Sequence, residues 1–157
     1  MKKDTIIAYL KPIFAGVLLY ILISAVFHPY LVSGTSMYPT FNNNDIVLCY
    51  PSFKPENLMR GDVILYKHGY ITLIKRIVAL PGDSVQVIDG VLYVNDERSP
   101  YNYELIEDPG ILKDKINISE NEIFYMGDNR NHSYDARMYG PGKFENIKGV
   151  VQKKLGQ

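Results

Sequence analysis

The sequence has a single cysteine, Cys49, which excludes an internal disulfide framework and a thiolate metal cluster and suits an extracytoplasmic protein free of thiol chemistry. Beside Leu48 it reads as a small buried apolar residue. An excess of charge of either sign is also lacking: 17 basic and 17 acidic residues give a formal net charge of +0. With no basic surplus to neutralise phosphates, nucleic acid is set aside as a partner. Histidines number three, His28, His68 and His132. Their spacing suggests no metal site, and no cofactor is expected. Internal repeats and low-complexity tracts are absent as well, and 157 residues leave room for one domain plus an appendage.

One long apolar run is present. Residues 12–32, PIFAGVLLYILISAVFHPYLV, contain no Asp, Glu, Lys or Arg and one histidine, His28. At ~1.5 Å per residue the run is about as long as a helix needs to cross a hydrocarbon core, so a transmembrane helix over 12–32 is expected. Lys2, Lys3 and Lys11 precede it. Positive charge is retained on the inner side, which places residues 1–11 in the cytoplasm and 33–157 outside the cell membrane, with the lipid bilayer as a partner. A cleaved secretory signal and an apolar core helix are the alternatives.

Beyond residue 32 the hydrophobic period changes to two, with β-branched and aromatic residues prevailing. Strands are expected in DIVLCY (45–50), DVILYKHG (62–69), YITLIKRIVAL (70–80), SVQVIDGVLYVND (84–96) and EIFYMG (122–127). Asp89-Gly90 marks a two-residue hairpin, since both residues tolerate positive φ. The polar stretch 98–121, broken by Pro100, Pro109 and Gly110, is expected to be a surface excursion. The fold class is therefore all-β, an antiparallel sheet or partial barrel behind one N-terminal transmembrane helix.

Two residues stand out chemically. Strand alternation places Lys75 in a row with Ile71, Leu73, Ile77 and Ala79, and Arg76 on the other face with Thr72, Ile74 and Val78. A desolvated ammonium has a lowered pKa, so an apolar row is where a lysine general base can be built; the alternative is a lysine that snorkels to an edge. Ser36 lies in the loop SGTSMYPT (33–40), where Gly34 permits a tight turn and Pro39 fixes φ. A serine hydroxyl is a weak nucleophile without a base, and a lysine can replace histidine in that role. Taken alone, a serine in such a loop is equally a turn residue.

Four blocks, SGTSMYPT (33–40), RGDVILY (60–66), KRIVALPGD (75–83) and GDNRNHSYDAR (127–137), occur in the order found in bacterial type I signal peptidases. With the preceding apolar run, the chain resembles that family over nearly its whole length, in the short Gram-positive form. The resemblance implies a membrane-bound serine endopeptidase that removes signal peptides from secretory preproteins, with Ser36 as nucleophile and neutral Lys75 as general base. It implies that Ser133 orients the lysine and that Arg76, Asp128, Arg130, Asp135 and Arg137 hold the site together. Gly34, Met37 and Pro39 belong to the oxyanion and substrate loop. Gly34 stands where some members carry a serine whose hydroxyl serves the oxyanion hole, so the second donor has to be a backbone group or water. Ala79 and Ala136 replace the more usual Gly and Ser.

Rival readings are a narrow-substrate or non-catalytic membrane-tethered assembly partner that keeps the fold, and a self-cleaving repressor-type protein, for which a DNA-binding module is missing. A Ser-His-Asp arrangement through His132 and Asp135 requires two residues close in sequence to surround Ser36 as base and orienter.

Overall fold

The computed structural model describes the backbone of residues 3–26 and 28–155, and the side chains of residues 9–21, 28–152 and 154. In chain order the elements are α1 (Lys3–Val26), β1 (His28–Leu31), β2 (Ile46–Tyr50), β3 (Val63–His68), β4 (Ile71–Ala79), β5 (Ser84–Ile88), β6 (Val91–Val94), β7 (Glu97–Arg98), β8 (Ile116–Asn117), β9 (Glu122–Met126), α2 (Ala136–Tyr139), β10 (Gly142–Lys143) and β11 (Ile147–Leu155). The strands form an antiparallel sheet in the order β1-β2-β11-β3-β4-β9-β10 and a smaller antiparallel sheet in the order β7-β6-β5-β8. The five expected strand segments are all present, with 84–96 divided into β5 and β6. Their hairpin turns at Asp89 (φ 49°) and Gly90 (φ 76°), the two positive values that the type I′ turn requires.

The two sheets share a core. Ile77, Val78 and Ala79 of β4 and Ile123, Phe124, Tyr125 and Met126 of β9 pack in one cluster with Val85, Val87, Leu92 and Val94 of the smaller sheet. A second cluster joins Val47 and Cys49 of β2, Val63 and Leu65 of β3 and Ile74 of β4 to Val32, Met37 and Phe41, which lie on the segment between β1 and β2. Burial raises the Cys49 thiol to about 11, in keeping with a packing role.

Two expectations are corrected. The helix runs over Lys3–Val26, not 12–32, and His28–Leu31 is strand β1, registered against Cys49–Ile46 of β2. Pro29 explains the change: it has no N–H to continue a helix, and it disfavours the helical region for His28 before it. Part of the expected membrane segment, the side chains of 22–27, lies outside the described residues. Among the described residues no helix is long and apolar enough to cross a membrane. Those of α1 have no partner: Leu10, Ile13, Phe14, Val17, Leu18, Leu19 and Ile21 are all exposed.

The second correction concerns 98–121, which is only partly a surface excursion. Ser99, Ile106, Leu112 and Ile118 are buried, a short helical turn covers Gly110–Lys113, and Ile116–Asn117 pairs with β5. Its apolar residues are spaced too irregularly to show a period, yet each meets the core. Strand β11, for which the sequence raised no expectation, lies centrally between β2 and β3. Its lysines obscure the alternation, and register shifts between Ile147 and Gly149 and between Val151 and Lys153 break it.

Ile77 is wholly buried where β4 meets β9, so truncation leaves a cavity in the core shared by both sheets. Ile77→Ala is expected to destabilise the protein by about 2–5 kcal/mol, read from the midpoint of urea unfolding.

Candidate active site

The loop carrying Ser36 is pinned from below. Met37 is 1% exposed and packs with Phe41 into the second core cluster, so the residue after the serine serves as an anchor and its side chain does not line a substrate surface. Backbone hydrogen bonds from Tyr38 N to Thr35 O (3.0 Å) and from Phe41 N to Met37 O (2.9 Å) wind the segment into turns. Gly34 sits at φ 94°, a left-handed conformation that favours glycine. Its N–H donates to Asn43 Oδ1 at 2.8 Å and is therefore engaged within the loop. The Ser36 N–H donates to no group among the described residues, which leaves it for a ligand oxygen. Pro39 follows a cis Tyr38–Pro39 bond on the exposed side of the loop.

Lys75 reaches this loop from the middle of β4. Its Nζ lies 2.7 Å from Ser36 Oγ and donates to the Ile74 carbonyl at 2.8 Å. The side chain is 2% exposed. Burial pulls its pKa down from 10.5 to about 8, against the opposing pull of the Asp135 and Asp128 carboxylates. A lysine this close to neutrality and this close to a hydroxyl can take the hydroxyl proton. β4 pairs with β3 along its first half, whereas pairing with β9 begins only at Arg76. Among the described residues, Ile71–Lys75 therefore keeps a free edge beside Ser36. Leu31, Val47, Leu65, Leu73 and Ile74 line a cleft of about 200 Å³ with Ser36 and Lys75.

The segment 127–137 encloses the other side. Pairing of Arg76 with Met126 delivers Gly127 and Asp128 next to the lysine. A Cβ on Gly127 would collide with Ser133 Oγ and the Ser36 carbonyl, so the close approach of the two segments requires glycine. Asp128 takes both prongs of Arg76, at 2.8 and 2.6 Å, and accepts from the Thr40 hydroxyl at 2.5 Å. Burial opposes the Arg76 charge, but its hydrogen bonds to Asp128 hold its pKa above the usual value. Asp135 accepts from Gly127 N (3.0 Å) and from Arg137 Nε (2.9 Å) and Nη2 (3.0 Å). Arg137 Nη2 also donates to Arg130 O at 2.5 Å. Arg130 is 1% exposed, donates to the carbonyls of Gly127 and Tyr101, and lies over the Tyr103 ring. Burial pulls its pKa down to about 10. The four charged residues of this segment thus brace the loop and one another.

Ser133 departs from its expected role. Its Oγ is buried, has no hydrogen-bond partner among the described residues and does not bond Lys75, although it lies against Gly127. The Ser-His-Asp alternative is not assembled: Asp135 is occupied by Arg137, and His132 Nδ1 contacts Asn129 Oδ1 at 3.2 Å. Two contributors went unread in the sequence. Thr40 completes the Asp128 tie, and Asn129 bonds the Thr35 and Ser36 carbonyls on either side of the Ser36 α-carbon. Both lie inside the quoted blocks, so position alone marked them; their partners are far away in sequence.

The signal peptidase, peptidase S26, family matches residues 6–155. Signal peptidase I of Bacillus licheniformis is 32% identical across 98% of this chain and 85% of that protein. Signal peptidase I S of Bacillus subtilis (strain 168) is 35% identical across 87% of this chain and 80% of that protein. The crystal structure of a signal peptidase I from Enterococcus faecalis V583 superposes with a TM-score of 0.51 at 25% identity, covering 64% of this chain and all of that one.

Asp128 is the point at which β4, the serine loop and segment 127–137 are tied. Asp128→Asn leaves the buried Arg76 guanidinium without its counter-charge and is expected to lower stability by about 3–5 kcal/mol, seen as a lower thermal midpoint.

Proposed function

The chain belongs to the signal peptidase family, peptidase S26, and we propose that Ser36 and Lys75 are the nucleophile and general base with which it works. It is a serine endopeptidase that removes signal peptides from preproteins. The observation that carries the catalytic assignment is the 2.7 Å approach of Lys75 Nζ to Ser36 Oγ inside a desolvated site. Neutral Lys75 accepts the Ser36 proton as Oγ bonds to the scissile carbonyl carbon. The oxygen of that carbonyl becomes an oxyanion facing the Ser36 N–H. The Lys75 ammonium then protonates the departing amine, the C–N bond breaks and an ester to Ser36 remains. Lys75, neutral again, takes a proton from water, whose oxygen attacks the ester and releases the acid and the free serine.

Substrate engagement follows from the free edge of Ile71–Lys75. An extended preprotein segment adds there as a strand, its main chain paired and alternate side chains turned toward the enzyme. A cleft of about 200 Å³ with apolar walls supports small residues, typically Ala, near the scissile bond. Arg76, Asp128, Arg130, Asp135 and Arg137 keep the two catalytic side chains in register.

The membrane placement rests on the sequence: the apolar run anchors the chain in the cell membrane, the lysines at 2, 3 and 11 stay in the cytoplasm, and the catalytic domain lies outside. The exposed apolar side chains of α1, with no protein surface to cover them, support the same assignment. An anchor ending at β1 brings Ser36 close to the bilayer, where a signal peptide's cleavage region emerges.

Detergent-solubilised full-length protein is expected to cleave a preprotein bearing an Ala-x-Ala signal sequence, whereas folded Ser36→Ala and Lys75→Ala variants leave it intact. Cleavage that survives Lys75→Ala overturns the assignment of the base. The pH profile of kcat/KM supplies a second check. Because the base works only after losing its proton, activity should rise with pH through a midpoint near 8, where burial places Lys75. A midpoint at 10 or above rules out a desolvated lysine base.

A further inference from the structure

The Ser36 N–H is the donor aimed at the oxyanion, and its direction is set by the peptide plane that it shares with the Thr35 carbonyl. In a trans peptide the C=O and N–H point opposite ways, so a group that holds the carbonyl aims the amide. Asn129 Nδ2 donates to Thr35 O at 3.1 Å. Asn129 N donates to Ser36 O at 3.1 Å, which fixes the next peptide plane. One residue therefore grips the carbonyls on both sides of the nucleophile's α-carbon. The Asn129 amide is itself oriented: its Oδ1 faces His132 Nδ1 at 3.2 Å, turning Nδ2 toward Thr35. A backbone hydrogen bond from His132 N to Asn129 O at 3.1 Å closes the turn on which both residues sit.

We infer that Asn129 is a positioning residue for acyl transfer, in which its side-chain amide, held by His132, aims the Ser36 N–H at the developing oxyanion through the Thr35 carbonyl. Asn129 itself touches neither substrate nor Lys75 in this role. The Gly34 amide is engaged by Asn43, so the aim of the Ser36 amide carries more of the oxyanion stabilisation than it would beside a free neighbouring donor. The inference rests on the assignment of Ser36 as nucleophile.

The test uses full-length wild type and Asn129→Ala in detergent, with cleavage of the Ala-x-Ala preprotein followed over substrate concentration and pH. Asn129→Ala removes the side-chain amide and keeps the backbone bond to Ser36 O. A kcat lowered about 10- to 100-fold is expected, with KM within about twofold of wild type and the midpoint of the pH profile unmoved, because misaiming the donor weakens the transition state and not substrate binding or the base. An unchanged kcat, a loss confined to KM, or a displaced midpoint overturns the inference. If Asn129→Ala fails to fold, His132→Ala carries the test, since that side chain is exposed. A several-fold fall in kcat at constant KM supports the relay, and an unchanged kcat overturns it. Wild-type protein that cleaves nothing defeats the nucleophile assignment itself, and this inference with it, a result distinct from an active wild type with an equally active Asn129 variant.

Discussion

The buried carboxylate of Asp128 is the constraint on which the site depends. It receives both prongs of the Arg76 guanidinium from β4 and the Thr40 hydroxyl from the serine loop, and it belongs itself to the segment that follows β9. Three stretches distant in sequence are thereby referred to one point. Such a charge pair is costly to desolvate, and its value lies less in net stability than in the geometry it imposes, since each partner is unfavourable without the other. Arg76 is further held by the Gly61 carbonyl at 2.6 Å and by the rings of Tyr101 and Tyr103, so the pair is enclosed on every side that the loop does not cover.

This tie bears directly on Lys75, the neighbour of Arg76 along β4. The strand sends the two side chains to opposite faces: the arginine to a carboxylate, the lysine to a hydroxyl. Burial lowers the lysine's affinity for a proton, while Asp135 and Asp128 raise it. The outcome, about 8, reflects burial outweighing the pull of the two carboxylates, which are themselves paired with Arg137 and Arg76. The arginines thus fix the positions of the two carboxylates nearest the lysine.

The surrounding fold supplies what the tie cannot. Met37 and Phe41 sink into the cluster beneath the serine loop, so Ser36 rides on a packed support although its segment is irregular. β9 pairs with only the second half of β4, and the first half, paired with β3 on one edge, leaves main-chain groups on its other edge beside Ser36. Rigid packing below and an open edge above together favour a substrate that binds as a strand.

Much of this was legible from residue order alone. Period-two patterning located β2, β3, β4, β5, β6 and β9, and Asp89-Gly90 located the turn between β5 and β6, because these signals are local. Ser36 and Lys75 could be singled out from the loop chemistry and the apolar row, and the four sequence blocks named their companions. Tertiary structure decided the rest. Pro29 ended the apolar run in a strand whose partner is a later segment, β2. β11 took a central place despite its lysines and bulges, because its neighbours on both sides, and not its own pattern, provide the pairing. Leu112 and Ile106 entered the core from a stretch without periodicity. Thr40 and Asn129 acquired their parts from partners 88 and 94 residues away. Periodicity and turn chemistry are properties of neighbouring residues and can be read in order, whereas a hydrogen bond across the fold exists only once the chain has brought its two ends together.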